Sequence, residues 1–165
     1  MPASALQDLE ILAHALLALA LGGLIGFERE AAGKWAGLRT HMLVCLAALL
    51  FVYMGQYITL HTAPLWERAG IAGNALGADP IRIVQSIAVG VSFVGAGVIF
   101  RDPDRNVARG LTTAATLLVV APIGVAVAVH RYVLAIGAAL LVVFVLRVMN
   151  WVEQRFFDEQ SPDDA

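Results

Sequence analysis

Five apolar stretches, at residues 9–27, 41–60, 81–100, 112–129 and 132–149, run through this chain and are separated by short segments that hold most of its charge. A helix crossing the hydrocarbon core of a bilayer needs about 20 mostly apolar residues, and each stretch meets or approaches that length. The last two are the shortest. Fusing them would place His130 and Arg131 at mid-bilayer, where charge is costly, so they are read as separate crossings. Composition agrees, with 59% hydrophobic and 15% charged residues and a mean hydropathy of +0.77, against about 25% charged in soluble globular chains. The expected fold is an all-α membrane protein with five transmembrane helices over residues 1–149 and a short acidic tail over 150–165. The opening "MPASALQDLE" carries acids where a secretory leader has a basic region, so the first stretch is read as a span.

Lysines and arginines set the expected orientation, because they accumulate on cytoplasmic loops. Arg29, Lys34, Arg39, Arg101, Arg105, Arg109, Arg147 and Arg155 fall on one side, against Arg68, Arg82 and Arg131 on the other. That asymmetry places the first and third loops and the C-terminus in the cytoplasm and the N-terminus outside. The net charge of −2 leaves no basic patch for nucleic acid. Cys45, the single cysteine, lies inside an apolar run and reads as a buried thiol.

The two cytoplasmic loops echo each other. Sliding the chain by 73 residues aligns Gly22 with Gly95, Phe27 with Phe100, Gly37 with Gly110, Leu38 with Leu111 and Thr40 with Thr113. The echo suggests a repeat of two helical hairpins, spans one and two and spans three and four, related by an axis along the membrane normal. Within it Glu28 aligns with Arg101 and Arg29 with Asp102, so the charges exchange sign. An ion-pair network across the two repeats is the corresponding expectation.

In lipid, close helix contact depends on small residues. Gly22 and Gly26 form a GxxxG in span one, while Ala88, Ser92 and Ala96 line one face of span three, which is therefore expected to lie centrally. Asp79 before Pro80 reads as a helix N-cap, and Arg82 and Gln85 continue a polar stripe into span three. Gly110 and Leu111 lead into Thr112, Thr113 and Thr116, which open span four with hydroxyls able to cap backbone groups. Mg2+ takes oxygen ligands, and the membrane-proximal carboxylates Glu28 and Asp79 are the candidates for a metal; backbone carbonyls beside Gly90, Gly95 and Gly97 could also line a pore. The middle of every span lacks an acid. The chain has no phosphate-binding P-loop, nucleophile elbow or zinc-protease motif, so neither catalysis nor a cofactor is expected.

The segments "LGGLIGFERE", "AGLRTHMLV", "DPIRIVQSIAVGVSFVGAGVIF" and "RGLTTAATL" resemble, in order and spacing, the signatures of the MgtC/SapB family of bacterial inner-membrane proteins, over roughly residues 16–128. Signature positions carried over are Gly22, Gly26, Glu28, Arg29, Gly37, Leu38, Arg39, Thr40, Asp79, Pro80, Arg82, Gln85, Gly90, Phe93, Gly95, Ala96, Gly97, Gly110, Leu111, Thr113 and Ala114. The resemblance implies a multi-pass protein of the bacterial inner membrane, linked to growth at low Mg2+ and to survival inside macrophages. It further implies a choice between Mg2+ transport and restraint of the F-type ATP synthase. Many similar proteins carry an ACT-like domain after the last span, where this chain has only its short tail. Leu118 and Pro122 also depart from the pattern, and Pro122 should kink span four.

These readings favour a non-catalytic regulator that acts by helix contacts on another membrane protein. A cation transport component and a structural homo-oligomer are the alternatives.

Overall fold

A computed structural model describes residues 3–68, 80–102 and 107–156. These form α1 (Ala3–Ala31), α2 (Leu38–Arg68), α3 (Pro80–Val98), β1 (Phe100–Asp102), β2 (Val107–Arg109), α4 (Leu111–Ala128) and α5 (Tyr132–Phe156). Among the described residues, five helices are long and apolar enough to cross a membrane, as the five apolar stretches require. Asp79 lies outside the described residues.

Several helices overrun the apolar stretches, with α1 reaching back to Ala3 and α5 running on to Phe156. Helix α2 begins at Leu38 and runs to Arg68, well past residue 60. Helix α3 stops at Val98, because the chain then turns into an antiparallel β-hairpin that pairs Phe100 with Arg109, Arg101 with Ala108 and Asp102 with Val107.

Helix α4, not α3, is the centre of the bundle. It packs against α1, α2, α3 and α5, and 56% of its spanning window is buried, against 11% for α3. Small residues permit a close approach without requiring one, and Gly90 and Gly97 of α3 face open space. Helix α4 is apolar around its whole circumference, the pattern of a buried helix. Gly124 makes this position possible, since a side chain there would overlap the backbone carbonyl of Cys45 on α2. The helix continues through Pro122, which is exposed.

Helices α1 and α2 form the tightest hairpin. A Cβ at Gly22 would lie 2.7 Å from the His41 carbonyl oxygen, and one at Gly26 would lie 2.7 Å from the Leu38 Cα, so the GxxxG is a packing surface. The turn between them closes on Gly33 in the left-handed region, φ 65°. There the Lys34 N–H donates to Arg29 O and the Gly33 N–H to Glu30 O, the paired bonds of a Schellman helix end. Between the two bundle ends, Ala18, Ile25, Cys45, Leu49, Val120, Ile123 and Val127 fill an apolar core.

Candidate functional site

The end of α1 brings an acid and a base into the interior as immediate neighbours. Arg29 Nε donates to Glu28 Oε2 at 2.6 Å and Nη2 donates to Oε1 at 2.9 Å. The two side chains are only 3% and 7% exposed, so the bidentate pair neutralises charge that would otherwise be buried without compensation. Glu30, next along, turns outward to the turn and accepts the Leu38 N–H at 2.8 Å. Its carboxylate thereby meets an orphan donor at the positive end of α2.

One turn into α2, His41 is completely buried. Its Nδ1 donates to the Gly37 carbonyl at 2.9 Å, and its Nε2 meets Thr116 Oγ1 of α4 at 3.0 Å. The single Thr116 hydroxyl proton is shared between His41 Nε2 and the Thr113 carbonyl, 2.8 Å away in the preceding turn. This chain ties the start of α2 to the start of α4 within electrostatic range of the Glu28–Arg29 pair. Among the described residues no buried side-chain nitrogen or oxygen lacks a partner.

Of the residues singled out from sequence, Glu28, Arg29, Gly37, Leu38 and Thr113 meet around this network. Gly110 starts α4 in the left-handed region, φ 86°, with its Cα against the Val98 carbonyl, a position no side chain could share. Thr40 is half-buried, while Arg39, Leu111 and Thr112 are exposed. Gly95 is buried against Ala114, on the side of α3 that meets α4. Arg82, Gln85, Gly90 and Gly97 are exposed along α3 and stand apart from the network. Arg101 lies on the exposed hairpin, where Asp102 pairs with Arg109 at 3.1 Å. Glu28 pairs with Arg29 inside the first echoing segment, and Asp102 with Arg109 inside the second. The segments meet through aromatic rings, the edge of one against the face of the other, with Trp35 and Phe100 centred 5.1 Å apart.

His41 is the member that sequence reasoning missed. Its polar side chain stands inside an apolar run, with Thr116 the matching polar residue in span four, and that pairing was the available signal.

A family model described as the MgtC family matches residues 15–155. The chain belongs to the MgtC family. It is 34% identical over 150 residues to YhiD of Escherichia coli (strain K12), named as a candidate magnesium transporter, covering 91% of this chain and 65% of YhiD. It is 36% identical over 140 residues to protein MgtC of Salmonella typhimurium (strain LT2), covering 85% of this chain and 52% of the relative. Protein MgtC of Brucella abortus (strain 2308) is 41% identical over 118 residues, covering 69% of this chain and 42% of the relative. The chain therefore spans between about two fifths and two thirds of the length of these family members. None of the three names describes an enzyme. No solved structure matches.

Proposed function

We propose that this multi-pass membrane protein is a non-catalytic regulator of the bacterial inner membrane, acting by helix contacts on a membrane partner during adaptation to low Mg2+. The observation that carries this reading is the closed interior. The core between the bundle ends is apolar, and the one buried carboxylate found among the described residues is already held by a guanidinium. Mg2+ favours several oxygen ligands and retains waters. To use Glu28 it would have to displace Arg29 from both carboxylate oxygens.

The surface suited to a partner is α3. Phe93 is 82% exposed, and Gly90 and Gly97 leave the backbone open to close approach by another helix. In this reading the Glu28–Arg29 end faces the cytoplasm, as the distribution of basic residues argues. The partner that the family resemblance implies is the F-type ATP synthase.

A second reading, Mg2+ transport, is favoured by the name of the Escherichia coli relative. Flux into proteoliposomes separates the two. The regulator gives no Mg2+ entry above empty vesicles, and a photoreactive residue at Phe93 crosslinks to a single membrane complex in cells. Mg2+ entry by the pure protein, lost in Glu28→Gln, would falsify the regulator and establish transport.

A further inference from the structure

The far end of the bundle holds a second polar cluster. Glu28 and Glu10 lie on one helix, 18 residues apart, or about 27 Å at 1.5 Å per residue. Glu10 and His14 are four residues apart on one face of α1, and His130 occupies the turn between α4 and α5. One ligand atom from each of Glu10, His14 and His130 lies within 4.8 Å of the other two. His130 Nε2 is 3.7 Å from Glu10 Oε1, and the His14 and His130 rings are centred 4.9 Å apart.

The backbone directs His130 into this group. The His130 N–H donates to Val127 O and the Arg131 N–H to Ala126 O, so His130 stands at the left-handed position of a Schellman helix end, φ 60°. Glycine is the usual occupant, and another residue there costs about 1 kcal/mol. The chain instead keeps an imidazole at this turn.

His14 is buried and held from both sides. Its Nδ1 is 2.7 Å from the Tyr53 hydroxyl, and its Nε2 is 2.6 Å from the hydroxyl of Tyr132, two residues after His130. Nε2 therefore faces the turn that carries His130. Glu10 and His130 are more than half exposed, which gives an ion a path from the aqueous side.

We propose that Glu10, His14 and His130 bind a divalent transition metal, with Zn2+ the best match. Two imidazoles and one carboxylate, with a fourth position left to water, form an established zinc donor set. Mg2+ is a poor competitor, because it prefers an all-oxygen octahedron. The ion takes His14 Nε2 in place of the Tyr132 hydroxyl. His14 then carries its proton on Nδ1 and donates it to Tyr53, the outer-shell bond that fixes a ligating imidazole in position. The site is independent of both functional readings above, which rest on the face of α3 and on the Glu28–Arg29 end of the bundle.

The test uses the full chain without a polyhistidine tag, stripped of metal in detergent micelles and equilibrated with Zn2+ in excess Mg2+. Bound metal is counted by mass spectrometry, and affinity is measured by competition with a chelating dye. One Zn2+ per chain is expected, with Co2+ giving the strong visible absorption of a four-coordinate ion. Glu10→Gln and His130→Gly each weaken Zn2+ by at least about 100-fold, and Tyr53→Phe weakens it by about 10-fold. His130→Gly also removes the backbone strain, so it folds at least as stably as the parent and separates lost binding from lost structure. His61→Ala leaves binding unchanged. Folded parent protein without bound Zn2+, displacement of Zn2+ by Mg2+, or equal retention in Glu10→Gln and His130→Gly overturns the site.

Discussion

The two segments that echo each other in sequence put their charges at different depths. After Phe27, α1 continues, so Glu28 and Arg29 stay helical and remain inside against α2. After Val98, the helix stops, and Arg101 and Asp102 move onto a hairpin whose Asp102–Arg109 pair is 20% and 46% exposed. A shared pattern of Gly, Phe and charge therefore does not set burial. What decides it is whether the helix runs past the charged pair before the chain turns. In the first segment the turn is the Schellman end at Gly33, which lets α2 dock at once. In the second, the left-handed Gly110 follows a hairpin that carries the charges away from the helices.

The largest effect that could break this contrast comes from Arg29→Ala, which leaves Glu28 buried without its partner. A loss of about 3–5 kcal/mol is expected in denaturant unfolding in micelles, with Glu28→Gln combined with Arg29→Met recovering most of it. Gly110→Ala comes next, at about 3 kcal/mol, because the new methyl meets both the left-handed backbone and the Val98 carbonyl. The same change at Gly33, where open space surrounds the position, costs about 1 kcal/mol. Thr116→Val removes the partner of His41 Nε2 and is expected to cost about 2 kcal/mol, seen as faster hydrogen exchange at the starts of α2 and α4. Asp102→Asn is the smallest, below about 1 kcal/mol and diminished by salt, since its ion pair is half in water. An Asp102 effect equal to that of Arg29 would erase the distinction between the two segments.

Much of the fold was legible because lipid imposes so few solutions. The five spans follow from length and polarity, and the GxxxG of α1 is the close contact its spacing suggests. The centre of the bundle was misread from Ala88, Ser92 and Ala96. Small residues reveal where helices can approach, whereas the all-round apolarity of residues 111–128 marks the helix that others surround. The hairpin escaped notice because three-residue strands carry little periodicity, although Pro103 and Asn106 between them are turn formers. At the candidate site, Glu28 and Arg29 were visible as membrane-end charges, but their pairing as sequence neighbours was not. His14 stands as a lone histidine inside the first apolar stretch. Its proximity to His130, 116 positions away, depends on how α1 lies against the α4–α5 turn, which local pattern cannot encode.

Cys45 is wholly enclosed where α2 meets Gly22 of α1 and Gly124 of α4. For thiol-labelling experiments the natural chain thus behaves as a cysteine-free background. A single cysteine introduced at exposed Lys34 or Arg131 would react alone with a membrane-impermeant maleimide applied to intact cells, reporting which face of the membrane each turn occupies without first mutating the core.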